Sequence, residues 1–248
     1  MSTAPCAALR ALIFDVDGTL ADTEGAHRDA FNEAFADAGF DWHWDEPTYV
    51  KLLAVSGGKE RIAHWWRGVN DDMTVLDPAA LDDTVQRLHD LKTAAYERRV
   101  REGAVALRPG VPELIGAAHA AGLRLAIATT TSPINIAALL RAALGPDWRY
   151  LFQVVEDAST APLKKPHPQV YRQTLQRLQR PAAECLAFED SANGLAAARA
   201  AGLATVVTPN RFTAHHDFAG ALRVLPTLAG VTLGDLRAWH AACEHAPA

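Results

Sequence analysis

Two aspartates stand two residues apart directly after a short apolar run near the start of the chain. The run of residues 9–14 (LRALIF) is followed by DVDGT, in which Asp15 and Asp17 are the carboxylates. Carboxylates at i and i+2 at a strand end can reach one site, where their repulsion favours a shared cation such as Mg²⁺. Asp15 can then act as a nucleophile toward phosphorus, while Asp17 transfers protons. The competing interpretation for an isolated pair is an acidic turn that closes a strand.

Polar residues follow two later apolar runs in the same way. Thr129 follows LRLAIA at 123–128, and the acidic pair at 189–190 follows CLAF at 185–188. The segment KKPHP, which contains Lys165, lies between them. Because parallel strands present their carboxyl ends at one edge of a sheet, we expect these groups to converge on Asp15. Thr129 and Lys165 would neutralise the charge of a transferring phosphoryl group, and Lys165 would also restrain Asp15.

These groups need a sheet to position them, and the chain from about residue 108 alternates helical and strand patterns. Strands are predicted at 123–128, 152–155, 185–188 and 203–207, with helices between them. Pro168 is predicted to open one of these helices. Such alternation predicts an α/β fold, a doubly wound parallel sheet with right-handed crossovers.

Residues 24–102 contain no convincing strand pattern. Apolar residues at helical spacing end near Gly39, and the pair Asp77-Pro78 predicts the start of a second, longer helix. Four of the six tryptophans fall within residues 40–66, where we interpret them as packing of a small helical unit. The sequence therefore predicts a core domain of residues 1–23 and 103–248 with an inserted helical cap domain of residues 24–102.

Composition excludes several classes of protein. The net charge of −5 argues against a nucleic-acid-binding surface, and the 49% hydrophobic content is ordinary for a globular domain. No apolar run is long enough to span a bilayer, and residues 1–8 do not read as a signal peptide. The three cysteines form no CxxC pair, which indicates free thiols in a reducing cytoplasm. We expect a cytoplasmic monomer that acts on a small molecule.

The order DxDGT, IAT, KP and ED(S) resembles the four motifs of the haloacid dehalogenase-type phosphatases, and the match covers nearly the whole chain. This resemblance implies a Rossmann-like core, a small helical cap and an aspartyl-phosphate intermediate on Asp15. It also implies Mg²⁺ ligands at Asp15, the Asp17 carbonyl and Asp190, with Glu189 as a further participant. One departure is Gln169, where the KPxPD form of the third motif has an acidic residue.

Within this superfamily the sequence resembles the sugar-phosphate group, and TEGAHRDAFNEAF, SGGKERIAHW and LAFEDSANGLAAARAAG are most similar to CbbY-type phosphatases. That resemblance implies hydrolysis of xylulose-1,5-bisphosphate, an inhibitor of Rubisco in the Calvin cycle. A β-phosphoglucomutase-like isomerase, a phosphoglycolate-type phosphatase and a catalytically idle phosphosugar-binding regulator remain as alternatives. The intact pair of aspartates argues against the regulator.

Specificity must come from the cap, because the core recognises only a phosphate. The glycines and cations of GGKER suit a second phosphate, although a turn followed by solvated helix charges is the alternative interpretation. His27 has a packing role as its alternative, and His215-His216 is interpreted as a solvated loop. The predicted substrate-binding residues are Glu24, His27, Tyr49, Gly57, Gly58, Lys59, Arg61, Thr130 and Thr131.

Overall fold

A computed structural model describes residues 7–69 and 78–243 of the chain. Its strands are β1 (Ala11–Phe14), β2 (Arg124–Ala128), β3 (Val154–Glu156), β4 (Cys185–Glu189), β5 (Ala204–Val207) and β6 (Arg223–Val224). They form one sheet in the order β3-β2-β1-β4-β5-β6, and every pairing is parallel. The order reverses at β1, so its carboxyl end lies at a switch point where α/β sheets bind ligands.

Nine helices occur in the described residues: α1 (Glu24–Asp37), α2 (Glu46–Leu52), α3 (Gly58–Val69), α4 (Pro78–Arg101), α5 (Val111–Ala120), α6 (Pro133–Leu144), α7 (Gln169–Leu178), α8 (Ala192–Ala200) and α9 (Leu233–Cys243). Two of them begin with a serine N-cap near the carboxyl ends of the strands. Ser132 accepts from the Asn135 amide at 3.3 Å and Ser191 accepts from the Gly194 amide at 3.2 Å. These caps start α6 and α8 directly after the loops that follow β2 and β4.

The sheet is buried on both faces, as expected of a doubly wound fold. Leu12 and Phe14 of β1 belong to one apolar cluster, while Ala11 and Ile13 belong to a second cluster on the other face. All four residues have no exposed surface, and the Phe14 ring stacks on Phe188 of β4 with centroids 4.7 Å apart. The α/β fold class and the parallel sheet predicted from sequence are therefore confirmed.

Helices α1–α4, which we call the cap helices, lie between β1 and α5 and pack around one apolar cluster, which Phe212 also joins. Trp44 and Phe35 are fully buried in it, and Trp42 and Trp65 pack against it half-buried. This confirms that these tryptophans are packing residues. The division into a core domain and a cap domain at residues 24–102 stays a prediction.

Several sequence expectations need correction. The sequence shows no clear strand pattern after 203–207, yet β6 follows at Arg223–Val224, because a two-residue exposed strand has no pattern that sequence analysis detects. Pro168 precedes α7 as its cap instead of opening it. The cysteine at position 6 and the predicted helix start at Asp77 lie outside the described part of the chain. Within that part, no helix combines the length and apolarity needed to cross a membrane.

Candidate active site

The carboxyl ends of β1, β2 and β4 face a cavity of about 750 Å³ that α1, α3 and α4 line on its other side. Nearly all of the residues singled out from sequence contribute to its walls. Those in contact with the cavity are Asp15, Asp17, Glu24, His27, Gly57, Gly58, Lys59, Arg61, Thr129, Thr130, Thr131, Lys165, Glu189 and Asp190. Tyr49 is the exception, and its placement is described below.

Lys165 connects the first motif to the last. Its buried ammonium donates to Asp15 Oδ1 and to Glu189 Oε1, both at 2.6 Å, and to the Ala128 carbonyl at 2.9 Å. Burial opposes the ammonium form, but Asp15 and Glu189 raise the pKa of Lys165, so it stays charged. Tyr171 donates a further hydrogen bond to Glu189 Oε1. The Asp15 carboxylate is therefore held in one orientation at the cavity floor.

Asp15, Glu189 and Asp190 form an acidic cluster in which one carboxylate oxygen from each residue lies within 4.8 Å of the others. One ammonium cannot neutralise three carboxylates. Burial, together with Glu189 and Asp17, raises the pKa of Asp15 to about 7 despite Lys165. Burial and the charges of Asp15 and Glu189 raise the pKa of Asp190 well above its usual range.

The acidic cluster fits a divalent cation. Glu189 Oε2 is buried and has no hydrogen-bond partner in the described residues. A Cβ at Gly194 would lie only 1.8 Å from that oxygen, so the start of α8 closes against it. Hard carboxylate oxygens with excess negative charge suit Mg²⁺. Use of the Asp17 carbonyl as a ligand stays a prediction.

Asp17 faces the cavity beside the acidic cluster and is held by a chain of polar contacts from the helices above. His27 Nε2 lies 2.9 Å from Asp17 Oδ1, and Lys92 Nζ lies 2.8 Å from His27 Nδ1. Burial and Lys92 lower the pKa of His27, so the neutral ring donates from Nε2 and accepts at Nδ1. Although burial opposes ionisation, His27 lowers the pKa of Asp17 to about 2.

Tyr49 is fully buried and lies behind the cavity wall. Its hydroxyl donates to Glu24 Oε2 at 2.8 Å and accepts from Arg61 Nη1 at 3.1 Å. The sequence predicts direct contact of Tyr49 with a sugar, but in the structure this side chain does not reach the cavity. The phenol instead fixes two residues that do reach the cavity, because its ring packs against the aromatic cluster of the cap helices.

Arg61 and Lys59 sit differently although both come from the GGKER segment. The Arg61 guanidinium also donates to the carbonyls of Leu52 at 3.1 Å and Val55 at 3.2 Å. Those contacts with Tyr49, Leu52 and Val55 use three of its five N–H groups, which leaves two for a ligand. Lys59 is exposed and donates to Gln86 Oε1.

The loop after β2 supplies hydroxyls at the cavity floor. Thr129 is buried, and its Oγ1 accepts from the Thr131 amide at 3.4 Å. Thr131 in turn accepts from Asn135 Nδ2 at 3.2 Å, so α6 orders the loop. In the loop of the third motif, Gln169 Oε1 accepts from the Leu163 amide at 2.8 Å. The unusual Gln169 thus still supports the segment that carries Lys165.

The solvated-loop interpretation of the histidine pair is wrong for one member. His215 is exposed, but His216 is half-buried, lines the cavity and accepts from the Ala192 amide at 3.3 Å through Nδ1. Spacing alone did not reveal this contact, since it joins residues 24 apart across the start of α8.

Sequence reasoning also missed two lysines that line the cavity. Lys92 lies on α4 and is buried between the rings of Phe31 and Tyr96, each centroid 5.1 Å from its ammonium. The sequence does contain a sign that Lys92 is buried, because it lies four residues from both Leu88 and Tyr96, on the apolar face of the helix. Lys164 is half-buried at the cavity wall, and its ammonium forms no hydrogen bond or ion pair within residues 7–69 and 78–243.

The chain is similar to known proteins over most of its length. A family model described as haloacid dehalogenase-like hydrolase matches residues 9–202. The plasmid-encoded protein CbbY of Cupriavidus necator is 52% identical to this chain over 94% of it and 97% of the relative.

Solved structures show the same fold. A mutant of CbbY from Rhodobacter sphaeroides, in complex with xylulose-(1,5)-bisphosphate, has a TM-score of 0.84 and 45% identity, covering 92% of this chain and 99% of that one. A β-phosphoglucomutase from Clostridium difficile has a TM-score of 0.78 at 18% identity over 95% of this chain and 99% of that one, a likeness of fold alone.

Proposed function

The chain belongs to the haloacid dehalogenase-like hydrolases and is a phosphatase of that family, and we propose that it is a Mg²⁺-dependent sugar-bisphosphate phosphatase acting on xylulose-1,5-bisphosphate. The observation that carries the proposal is Asp15, held by Lys165 at 2.6 Å beside the acidic cluster, with Asp17 in the same cavity. This arrangement supports nucleophilic attack on phosphorus by one carboxylate and proton transfer by the other.

In the proposed reaction, Asp15 Oδ attacks the phosphorus of the substrate and the bond from phosphorus to the sugar oxygen breaks. The Asp17 carboxyl gives its proton to the departing sugar oxygen, since the bound phosphate's negative charge raises its low pKa. Asp17 then takes a proton from water as that water attacks the aspartyl phosphate, which restores Asp15 and releases inorganic phosphate. Thr129 and Lys165 neutralise the phosphoryl oxygens.

Asp15 and Asp190 would hold the Mg²⁺ ion, with Glu189 as the third carboxylate of the cluster. When bound, the ion supplies charge neutralisation that lets an anionic phosphate approach a carboxylate. The chain's own contribution is orientation: Lys165 directs Asp15, and Asn210 Nδ2 donates to Asp190 Oδ2 at 2.8 Å.

We propose that the second phosphate binds on the cap side of the cavity, where four cations face it: Lys59, Arg61, Lys92 and Lys164. Arg61 is preorganised by its contacts with Tyr49 and the cap backbone, and Lys164 has no ion-pair partner among the described residues. Glu24, also at the cavity wall, suits the sugar hydroxyls between the two phosphates, whereas both ring nitrogens of His27, predicted from sequence to bind the sugar, are engaged by Asp17 and Lys92. The choice of sugar is supported by the CbbY relative that binds xylulose-(1,5)-bisphosphate.

One experiment separates hydrolysis from its alternatives. Purified protein with Mg²⁺ is given xylulose-1,5-bisphosphate, phosphoglycolate or β-glucose 1-phosphate, and both released phosphate and glucose 6-phosphate are measured. We expect phosphate release, with the highest kcat/KM for the bisphosphate. Isomerisation without net phosphate release would indicate a mutase, and binding without turnover would indicate a regulator.

Removal of the metal is expected to stop turnover reversibly. The acidic cluster binds Mg²⁺ through few protein oxygens, so a chelator should extract it. Treatment with EDTA should remove phosphate release, and excess Mg²⁺ should restore it. Replacement of Asp190 by Asn keeps the shape of the side chain while it removes one anionic ligand, so the Mg²⁺ concentration for half-maximal activity should rise. Activity that survives exhaustive chelation would contradict the metal requirement.

Lys59 tests the assignment of the second phosphate. A charge-assisted contact contributes about 1.5–3 kcal/mol, so Lys59→Ala should lower kcat/KM for the bisphosphate roughly tenfold to a hundredfold. Hydrolysis of a small monophosphate should barely change, because that substrate lacks the distal group. Arg61→Ala should show the same contrast, with an added loss of cap order because three protein contacts disappear.

The matched control is Lys51→Ala, which removes an exposed lysine of α2 that does not contact the cavity. Its kinetics should equal those of wild type for both substrates. Equal losses on both substrates in Lys59→Ala would indicate impaired cap closure instead. No loss of kcat/KM on either substrate would indicate that GGKER is a turn with solvated charges that does not bind the second phosphate.

A further inference from the structure

The loop after β5 enters the apolar cluster of the cap helices. We name residues 208–216 the coupling loop. Phe212 has no exposed surface and belongs to the same cluster as Trp44 and Phe35 of the inserted helical segment. Its ring meets the Tyr49 ring edge-on, with centroids 6.0 Å apart. The core part of the chain thus contributes a side chain to the interior of the cap helices.

The same loop holds one member of the acidic cluster. Asn210 Nδ2 donates to Asp190 Oδ2 at 2.8 Å, and Asn210 Oδ1 accepts from the Phe212 amide at 2.8 Å. The carboxylate requires a donor and the amide requires an acceptor, so Asn210 has one orientation that satisfies both. A single side chain therefore joins the Phe212 backbone to Asp190.

The base of the coupling loop is held independently of the cap. The Arg108 guanidinium donates to the carbonyls of Thr208 and Pro209 and also to the Gly18 carbonyl beside the first motif. A Cβ at Gly18 would lie 2.7 Å from Asn210 Nδ2, so the first motif packs directly against this amide. With its base fixed, the loop can transmit a change at Phe212 to Asn210.

We propose that Asn210 is a positioning residue for Asp190 and that Phe212 ties this position to the packing of the cap helices. The inference rests on the metal site proposed above. When Phe212 is seated in the cap cluster, its amide orders Asn210, and Asn210 orients the Asp190 carboxylate. By linkage, Mg²⁺ at the acidic cluster and Phe212 in the cap cluster then favour each other.

The test is calorimetric titration of Mg²⁺ into substrate-free protein, which reports metal affinity without turnover. The variants are Asn210→Ala, Phe212→Leu, both together, and Phe35→Leu. Phe35 is the matched control, because it is a fully buried phenylalanine of the same apolar cluster that lies on α1, away from the coupling loop. Thermal unfolding confirms that each variant is folded, and Phe212→Met serves as a second substitution at that position.

We expect Asn210→Ala to raise the Kd for Mg²⁺ about tenfold, as loss of a group that orients a metal ligand does. Phe212→Leu should raise it roughly twofold to tenfold, while Phe35→Leu leaves it unchanged even as it lowers the Tm. The double variant should match Asn210→Ala alone, because Phe212 acts through that amide.

Three results would overturn the inference: a wild-type Kd in Phe212→Leu, an equal loss in Phe35→Leu, or multiplied effects in the double variant. The proposed metal site fails separately, and the inference with it, if the wild-type protein does not bind Mg²⁺. Normal Mg²⁺ binding in all variants would leave the phosphatase proposal standing and remove only the role of the coupling loop.

Discussion

Replacing Asp15 by Asn is expected to lower kcat by about 10⁴-fold or more on every phosphate ester, because loss of a nucleophile that acts as part of a unit removes most of the rate enhancement. The amide oxygen of Asn is a far weaker nucleophile than a carboxylate. The fold should survive, since Asn has the same shape and can still accept from Lys165, which now donates to Asp15 Oδ1. Steady-state phosphate release tests the loss of turnover, and thermal unfolding tests whether the fold survives.

The same substitution also removes one anion from the acidic cluster, so the nucleophilic role needs a measurement of its own. Acid quenching of wild-type protein with ³²P-labelled substrate should leave label on the peptide that contains Asp15, in a form labile to hydroxylamine. Asp22→Asn is the matched control, because Asp22 is exposed and does not contact the cavity. A folded Asp15→Asn protein with wild-type turnover, or label on another residue, would refute the assignment.

The second large effect is expected at Asp17. Asp17→Asn should lower kcat for a sugar phosphate by about 10²- to 10⁴-fold, the usual contribution of a general acid–base group. An amide at this position still accepts from His27 Nε2, which lies 2.9 Å from Asp17 Oδ1, so the contact with α1 is retained. The loss should therefore come from proton transfer and not from unfolding.

Leaving-group dependence distinguishes that role from a general loss of structure. The phosphorylation step on p-nitrophenyl phosphate needs little acid assistance, so its single-turnover rate should fall much less than the rate on the sugar phosphate. Hydrolysis of the aspartyl phosphate should remain slow with either substrate, since water then lacks its base. Equal losses in the phosphorylation step on both substrates would contradict Asp17 as the proton donor.

The sequence alone was enough to predict the floor of the candidate site. Asp15, Asp17 and Thr129 were recognisable because they come just after apolar runs, and Lys165 because its KKPHP segment lies between two such runs. The topology of a parallel sheet brings such positions to one edge whatever the details of packing. The observed strand order, with β1 between β2 and β4, is the arrangement that this argument requires.

Contacts between distant parts of the chain were decided by tertiary structure alone. Lys92 lies 65 residues from His27, and Phe212 leaves the core to join an aromatic cluster formed by residues 31–88. Tyr49, predicted to touch the sugar, is instead buried behind the wall as a link between Glu24 and Arg61.

The physical reason is that local patterns report which face of an element is buried, but not which element covers it. The strand-end motifs are an exception, because parallel strands place their carboxyl ends side by side at one edge of the sheet. The orientation of Asp190 cannot be predicted in this way, since it depends on Asn210, which lies 20 residues further along on a loop that the cap helices hold in place. For this protein, the sequence by itself determined which residues meet at the floor of the candidate site, and only the packing of the cap helices against the core decided the placement of Asp190, Tyr49 and Lys92.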